Sequence, residues 1–251
     1  MTIALQKVTD ILELFLNNES ELSLSELSKL SGLNKSTINR IASFLVEKDY
    51  LRQTKKRGKY SLGMKLLDFS AVIKERLQVR EMALRNLNKL KQTVKESCGL
   101  VIWNGKEATL TDLIQNYSVL RVSPYAVSKL PLHPTSSGKI FLASMPKEQI
   151  EEYFDMFGLK KYTTQTITDP TKLKKELSFV KKEGFAFDID EHIVGVSSVG
   201  AAIKDINGSV IAASVVLGPT ARLSRSKLRT MAPIVRKCAR GISHSLGWKA
   251  V

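Results

Sequence analysis

The sequence predicts an α+β protein of two domains, a small helical N-terminal domain with a β-hairpin and a larger C-terminal domain with a mostly antiparallel sheet. Capping signals and apolar spacings of three and four residues predict helices through residues 4–47. A short hairpin pattern follows at residues 51–62. Beyond residue 97, strand-like runs flanking Asn-Gly pairs alternate with helical patterns. The predicted bounds are 1–63 for the first domain, 64–80 for a linker helix and 81–251 for the second domain.

The first three helices are predicted from apolar spacing and from caps. The first is an amphipathic helix whose buried positions are Ala4, Val8, Ile11, Leu12 and Phe15. Ser23 and Glu26 have the spacing of a capping box, so a second helix should begin there. Gly32 can adopt the left-handed conformation that ends it, and Asn34 can cap the next helix. The short turn between them is typical of a helix-turn-helix.

The third helix presents two chemically different faces. Its buried face should hold Ile38, Ile41, Ala42 and Leu45. Its outer face should hold Ser36, Asn39, Arg40 and Ser43, with Lys35 and Thr37 at the N-terminal end and no apolar interruption. Short hydrogen-bonding side chains and an arginine can contact base edges in a major groove. A merely solvated helix face is the alternative for this helix taken alone.

The hairpin after this helix favours the nucleic-acid interpretation. Residues 51–54 and 59–62 are predicted as two strands, joined by Lys55-Lys56-Arg57-Gly58. Between Lys35 and Lys65 there are nine Lys or Arg residues and only two acidic ones. Such a segment supplies donors for both phosphates and bases. The pattern therefore predicts a winged helix-turn-helix that binds duplex DNA. The predicted contacts are Lys35, Ser36, Thr37, Asn39, Arg40, Ser43, Lys55, Lys56 and Arg57.

The rest of the chain is predicted in order. A helix after Gly63 has an apolar surface wider than one stripe, which fits either a connector or a dimer contact. A helix at 79–96 precedes a hairpin at 100–114 with Asn104-Gly105 as its two-residue turn. A second hairpin should flank Asn207-Gly208. Further helices are predicted near 135–143, 146–157, 170–183 and 224–246, with an apolar run at 185–187.

Composition limits the function classes. A formal charge of +15 suits a polyanionic partner, although the part after Arg80 is also net positive, so charge alone does not locate the contact. No run of 18 apolar residues and no signal-peptide layout is present, so we expect a cytoplasmic protein without a membrane contact. Cys98 and Cys238 are expected to be reduced packing residues. Three scattered histidines predict no metal site, and no cofactor is predicted.

Four stretches resemble one family of bacterial transcription factors. LPLHPTSSGKIFLAS at 130–144, EGFAFDIDEHIVGV at 183–196 and GPTARLS at 218–224 are similar to signatures of the isocitrate lyase regulator (IclR) family, and LNKSTINRI at 33–41 resembles its recognition helix. The resemblance implies a GAF-like effector domain, a helical linker, and homodimers or dimers of dimers on palindromic operators. Most members are repressors. It also implies a small organic acid as effector, held between the helix after LPLH and the loop with the acidic motif.

The residues at that position suit an acid. Thr135-Ser136-Ser137-Gly138 would open a helix, where free N–H groups and the positive end of the dipole attract a carboxylate, and Lys139 adds charge nearby. Plain N-capping is the alternative interpretation of these hydroxyls. Asp188 occupies the acidic position that faces the ligand in some members, and Ser198 replaces a common cysteine. The predicted effector contacts are Ser136, Ser137, Gly138, Asp188, Val196, Ser198, Val215 and Leu217.

Effector size follows from two of these positions. Members that bind very small acids resemble one another in having serines where this chain has Val215 and Leu217. We therefore expect an aromatic or sugar-derived acid, larger or more apolar than pyruvate.

An enzyme is the main rival class. Ser137, His133 and Asp188 invite a triad interpretation, but the chain has no Gly-x-Ser-x-Gly elbow, P-loop, zinc signature or Gly-rich dinucleotide turn. The predicted function is thus a DNA-binding regulator, a repressor by preference, modulated by a small acid. The alternative is a winged-helix nucleic-acid-binding protein without an effector, whose C-terminal domain serves only oligomerisation. An RNA-binding or protein-binding winged helix also stays open.

Overall fold

The computed structural model of the chain describes residues 2–17, 21–53, 58–69, 78–105, 107–118, 122–123 and 129–249. The chain divides into two compact units, Met1–Leu77 and Gln78–Val251. Among the described residues, no helix combines the length and the apolar character needed to cross a membrane.

The N-terminal unit is built from three helices and a two-stranded hairpin. In chain order these are α1 Thr2–Asn17, α2 Leu24–Ser31, α3 Lys35–Glu47, β1 Leu51–Gln53 and β2 Tyr60–Leu62. The predicted caps are confirmed: Ser23 and Glu26 form a capping box, and Gly32 ends α2 with φ 70°. The side chain of Asn34 accepts a hydrogen bond from the Thr37 N–H at 2.9 Å. Local sequence signals therefore set the geometry of the helix-turn-helix.

One apolar core holds this unit together. It contains Ile11 and Phe15 of α1, Leu27 of α2, and Ile38, Ala42 and Leu45 of α3. The hairpin joins it through Leu51 and Tyr60, and Leu22 pairs with Tyr60 in an antiparallel bridge. After the hairpin, residues 65–69 are helical, and the Phe69 ring stacks on Tyr50 with centroids 6.0 Å apart. The predicted wing tip, Lys55, Lys56 and Arg57, and residues 70–77 of the predicted linker lie outside the described residues.

The C-terminal unit is an α/β domain with an antiparallel sheet, as predicted. Its elements are α4 Gln78–Val94, β3 Ser97–Trp103, β4 Ala108–Ile114, β5 Lys129–Leu130, α5 Ser136–Ser144, α6 Lys147–Phe157, α7 Pro170–Glu183, β6 Phe185–Ile189, β7 Val196–Lys204, β8 Val210–Pro219 and α8 Arg225–Ser245. The strand order is β5-β4-β3-β8-β7-β6, and each neighbouring pair is antiparallel.

Helices cover both faces of this sheet. On one face, α5 and α7 pack over a core that includes Val101, Ala186, Ala213 and Val215. On the other face, α4 and α8 pack against each other and over β3, β7 and β8. Because strand side chains alternate between faces, the neighbours of those core residues, such as Leu100, Ala212 and Val216, are buried under α4 and α8.

The two predicted hairpins exist, but the first turn differs from the prediction. Asn104 N–H bonds to the Glu107 carbonyl at 3.3 Å, so the turn lies between these residues rather than at Asn104-Gly105. The Asn104 side chain explains the shift, because its carbonyl oxygen accepts the Glu107 N–H at 2.8 Å. In the second hairpin, Asp205 N–H bonds to the Ser209 carbonyl and Gly208 has φ 82°. That is a three-residue loop with glycine at its left-handed position.

Candidate nucleic-acid interface and ligand cavity

The outer face of α3 is polar and solvent-exposed. Lys35, Ser36, Asn39, Arg40 and Ser43 are exposed, and Thr37 is half-buried. On the opposite side Ile38, Ala42 and Leu45 are buried and Ile41 is half-buried, as predicted. The Ser36 hydroxyl donates to the Asn34 side chain at 2.8 Å, so it also supports the helix cap. Six side chains predicted to contact DNA thus share one accessible stretch of a single helix.

Phe44 corrects the prediction that no apolar side chain interrupts this face. It lies beside Ser43 with 53% of its surface exposed. The Lys48 ammonium sits 5.9 Å from the centre of its ring. The helical spacing places Phe44 one turn from Arg40, and an aromatic ring there can contact a thymine methyl group. Its position four residues after Arg40 is the sequence signal that would have placed Phe44 on the same face of the helix.

A small cavity lies between the start of α5 and the sheet. Seven of the eight predicted effector residues line it, together with six residues that are not among the predicted contacts. The predicted ones are Ser136, Ser137, Asp188, Val196, Ser198, Val215 and Leu217. The others are Val101, Leu110, Leu130, Thr135, His192 and Ile193. Three of these, Val101, Leu110 and Leu130, are apolar residues on strands, and a sequence does not reveal which sheet face points to a particular helix end.

The start of α5 gives the cavity its polar wall. Thr135 caps the helix, because its hydroxyl accepts from the Gly138 N–H at 3.1 Å and donates to the Pro131 carbonyl at 2.7 Å. The hydroxyls of Ser136 and Ser198 bond to each other at 2.7 Å. Among the described residues, the Ser137 hydroxyl has no hydrogen-bond partner. The first two residues of α5, Ser136 and Ser137, therefore line the cavity with N–H groups that have no partner within the helix and with one free hydroxyl.

Two residues predicted at this wall lie elsewhere in the structure. Gly138 does not line the cavity, because it packs on the preceding segment so closely that a Cβ there would lie 2.1 Å from the Leu132 carbonyl oxygen. Lys139 does not direct its charge to the cavity either. Its ammonium is buried against the Phe187 carbonyl at 2.9 Å and pairs with Glu191 at 2.5 Å. Helical geometry explains both, since only the first residues of α5 face its N-terminal end.

The loop after β6 forms the opposite wall, and hydrogen bonds fix its shape. Asp190 adopts φ 57°, and its carboxylate accepts from the Gly195 N–H and the Thr220 hydroxyl, both at 2.7 Å. Thr163 donates to the Asp190 carbonyl and Thr166 to the Glu191 carbonyl, each at 2.6 Å. These two threonines are far from the loop in sequence, and no local pattern identified them. They hold the loop beside the end of β6, where Asp188 of the strand and His192 of the loop line the cavity.

Burial determines the charge state of the acidic motif. Loss of hydration raises the pKa of Asp188 to about 7, although its carboxylate accepts the Glu191 N–H at 2.9 Å. Burial also raises the pKa of Glu191, against the pull of Lys139. Burial lowers the pKa of His192, so this ring is favoured in its neutral form. A protonated Asp188 can donate a hydrogen bond, which a carboxylate ligand can accept.

His133 does not form a catalytic triad with Ser137 and Asp188. Its two ring nitrogens lie 3.1 Å from the Tyr153 hydroxyl and 2.9 Å from the Lys160 carbonyl oxygen, so both are occupied away from Ser137 and Asp188. Cys98 and Cys238 are free thiols, and burial raises the pKa of both. The geometry of these residues gives no activated nucleophile.

Cavity size restricts what can bind without rearrangement. The cavity is partly open to solvent and offers about 40 Å³ to water-sized groups. This is room for a few small groups, since one water occupies roughly 10–15 Å³ by this kind of measure.

Two family models together match nearly the whole chain. The model described as the C-terminal part of the bacterial transcriptional regulator IclR matches residues 71–244. The model described as the IclR helix-turn-helix domain matches residues 4–55. These ranges include both the polar face of α3 and the cavity at α5.

Relatives and solved structures agree with the family models. The transcriptional repressor AllR of Escherichia coli K12 is 30% identical over 247 residues, covering 98% of this chain and 91% of that protein. The crystal structure of the Thermotoga maritima IclR is similar with a TM-score of 0.78 at 28% identity, covering 99% and 100% of the two chains. An IclR homologue from Microbacterium hydrocarbonoxydans, solved with 4-hydroxybenzoate, shares the fold with a TM-score of 0.83 at 24% identity, covering 97% and 98%.

Proposed function

The chain belongs to the IclR family of bacterial transcriptional regulators, and from this premise we propose that it is a repressor whose operator binding responds to a small organic acid. The relatives at 29–30% identity are named repressors, which favours repression over activation for this chain. The observation that carries the proposal is the exposed polar face of α3, set by the Asn34 cap and backed by a buried apolar face.

In the proposed complex, α3 enters the major groove of duplex DNA. Arg40 can make a bidentate contact to guanine, and Asn39 can do so with adenine. Lys35, Ser36, Thr37 and Ser43 then contact the backbone or neighbouring bases. Lys55, Lys56 and Arg57 of the wing bind flanking phosphates in this proposal. Base contacts supply specificity and phosphate contacts supply affinity.

We expect the regulator to act as a homodimer or a dimer of dimers. Paired recognition helices require a two-fold arrangement, so the operator should be palindromic. Exposed apolar side chains at the start of the predicted linker support self-association. Met64, Leu67 and Phe69 are 72%, 58% and 49% exposed within six residues of chain. Such a patch on a single chain is typical of an interaction site.

The proposed effector site is the cavity at the start of α5. An acid's carboxylate would accept hydrogen bonds from the Ser136 and Ser137 N–H groups, the Ser137 hydroxyl and protonated Asp188. Val196, Val215 and Leu217 provide an apolar lining for the rest of the molecule. That lining supports an acid larger or more apolar than pyruvate. In this proposal the acid binds preferentially to a state in which the cavity, here about 40 Å³, is wider, and that preference shifts the conformational equilibrium.

Selection of DNA tests operator binding. The full-length protein is used to select duplexes from a random library, and the recovered sequences should converge on a palindrome. Affinity for the selected duplex should fall with rising salt while its preference over a scrambled duplex persists. An equal loss on both duplexes, with no preference at any salt, would reduce the interaction to charge alone.

A thermal-shift screen tests the effector. The full-length protein is screened with 4-hydroxybenzoate, other aromatic acids, sugar acids, pyruvate and glyoxylate. A ligand at a hundred times its Kd should add about 2.7 kcal/mol. Ser137→Ala and Asp188→Ala should abolish the shift, whereas the exposed Ser178→Ala should keep it. A shift with pyruvate or glyoxylate alone would contradict the argument from Val215 and Leu217. No shift with any acid would favour a C-terminal domain that serves oligomerisation only.

A further inference from the structure

The positive charge of this protein is concentrated on α4 and α8. α4 carries four cationic residues and one acid, Glu81, and α8 carries six cationic residues and no acid. The two helices therefore hold a net charge of +9 out of the +15 of the whole chain. The cationic residues are Arg80, Arg85, Lys89, Lys91, Arg225, Lys227, Arg229, Arg236, Lys237 and Arg240. The domain with the cavity thus has a stronger basic surface than the domain with α3.

Most of these charges are exposed and unpaired. Seven of the ten are exposed to solvent: Arg85, Lys89, Arg225, Lys227, Arg229, Lys237 and Arg240. Among the residues that the structure describes, only Arg80 and Arg236 have a carboxylate within 4.0 Å, namely Asp112 and Glu183. Crowded like charges destabilise the fold through mutual repulsion unless an anion neutralises them. Their persistence on one surface points to a polyanionic partner.

The charges also share a direction. α4 and α8 pack side by side on one face of the sheet, so their outer sides form one layer. Along α8, Arg225, Arg229, Arg236 and Arg240 recur at spacings of four, seven and four, which aligns them in one stripe. This stripe runs along the flank of α8 nearest β6, where Arg225 and Arg229 share a groove with Glu176 and Glu191 and Arg236 pairs with Glu183. The stripe is about 22 Å long at 1.5 Å per residue. A duplex of that length carries on the order of a dozen phosphate charges.

Other partners fit this layer less well. A helix that lies on a membrane needs a broad apolar face. Here the large apolar side chains exposed on the described parts of α4 and α8 are Met82 and Ile234, each 37% exposed. A symmetric contact with the same face of a second copy would oppose like charges. Duplex DNA is also the polyanion that the N-terminal unit of this chain is proposed to hold, so its local concentration is high.

We propose that the outer face of α4 and α8 is a second contact surface for duplex DNA, independent of sequence. It rests on the DNA binding proposed above, and it adds a function to the effector domain. In this proposal α3 determines the DNA sequence that is bound, and the outer face of α4 and α8 adds phosphate contacts to the same or a neighbouring duplex. The expected signature is a steeper salt dependence than the N-terminal unit produces by itself.

The test compares two triple variants of the full-length protein. R229Q/K237Q/R240Q removes three exposed charges from α8. K172Q/K175Q/K182Q removes three exposed charges from α7, on the other face of the sheet. Binding to a fluorescent mixed-sequence duplex of about 30 base pairs, three helical turns, is measured across a range of salt. The α8 variant should bind more weakly, with a log–log salt slope shallower by about 2 to 3, since each phosphate contact contributes roughly 0.9. The α7 variant should match the unmodified protein.

Three results would overturn the proposal. The first is an unchanged salt slope in the α8 variant. The second is an equal change in both variants, which would reflect net charge only. The third is an altered oligomeric mass in sedimentation with an unchanged slope, which would assign the layer to an acidic surface of another copy, such as that of α6 with Glu148, Glu151, Glu152 and Asp155.

Selected and scrambled duplexes keep this proposal separate from the operator proposal. If the unmodified protein does not distinguish them but the α8 variant still changes the slope, operator recognition fails while the second contact stands. If the selected duplex is preferred but the slope does not respond to the α8 variant, operator recognition stands and the second contact fails. Unfolding midpoints equal to that of the unmodified protein serve as the folding control for both variants.

Discussion

The outer face of α3 and the start of α5 use the same small hydroxyl side chains in opposite surroundings. On α3, Ser36 and Ser43 are exposed and stay available to an external partner. At α5, Ser136 and Ser137 are each 2% exposed, and a buried hydroxyl must find a hydrogen bond within the protein or in a ligand. Serine hydroxyls therefore suit an exposed surface that contacts DNA on α3 and a buried cavity that holds a small ligand at α5.

The two sites also differ in how the chain builds them. All six described DNA-contact candidates belong to one helix of 13 residues. The cavity draws on α5, all six strands of the sheet and the loop after β6. A site within one helix tolerates change in the rest of the fold. A site assembled from distant segments depends on every contact that holds those segments together, so substitutions far from the cavity should affect it.

The largest effect is expected from the buried ion pair behind the cavity. Lys139→Ala leaves the Glu191 carboxylate buried without its cation, which should cost about 3–5 kcal/mol of unfolding free energy. Trp103 and Trp248, the two tryptophans of the chain, both lie in the C-terminal unit, so urea unfolding followed by their fluorescence isolates this unit.

The double variant Lys139→Met/Glu191→Leu is the control for that experiment. Replacing both partners by apolar residues of similar volume removes the uncompensated charge, so most of the loss should be recovered. Equal destabilisation by the single and double variants would show that packing, and not charge, sets the cost. DNA binding by the N-terminal unit should survive in the double variant.

A smaller effect is expected on α3, and on affinity rather than stability. Arg40→Ala should cost about 1–3 kcal/mol on a selected operator and relax its sequence preference, if the guanidinium contacts a base. Tryptophan-monitored unfolding should not change, because Arg40 is exposed in the other unit. Lys172→Ala, an exposed charge on α7, is the control. Equal losses on operator and scrambled DNA would identify Arg40 as a phosphate contact.

The third effect is pH-dependent and belongs to the cavity. Because the pKa of Asp188 is raised to about 7 from about 4 in an unfolded chain, the folded state holds the extra proton between these values. The contribution of this proton to the free energy of unfolding is full below about pH 4. It is lost as pH rises towards 7, by at most about 1.4 kcal/mol per pH unit. Glu191 has the same sign, while His133 and His192, whose pKa values are lowered, have the opposite sign.

The difference between the unmodified protein and Asp188→Asn isolates this carboxyl from its neighbours. Unfolding free energies from urea titrations at several pH values between 4 and 8 are subtracted at each pH. The unfolding free energy of the unmodified protein minus that of the variant should fall as pH rises to about 7 and should then stay constant. A difference that is constant between pH 4 and 8 would show that Asp188 does not gain or lose its proton in this range. The same variant should flatten the pH dependence of acid binding, because an amide keeps a donor without titrating.

The contrast between local and assembled sites also explains how much the sequence could predict. Ser23, Gly32 and Asn34 act on neighbours within a few residues, so their roles and the helix bounds follow from spacing. The family signatures identified seven cavity residues, but not that Gly138 and Lys139 face away. Thr163, Thr166 and His192 take their roles from contacts that only the folded chain brings together. Side-chain direction and distant partners were the missing information.

The smallest effect is expected from the cap of the recognition helix, and it tests whether α3 is as self-contained as its sequence indicates. Asn34→Ala removes the acceptor for the Thr37 N–H and for the Ser36 hydroxyl, and should cost about 1 kcal/mol in the N-terminal unit. Asn34→Asp or Asn34→Ser keeps an acceptor and should restore most of it. Hydrogen exchange of the α3 amides reports this directly: protection should fall at Thr37 and its neighbours while amides of α5 are unaffected. Loss of protection across α1 and the hairpin as well would show that the cap controls the whole unit, because its helices then unfold together rather than α3 fraying by itself.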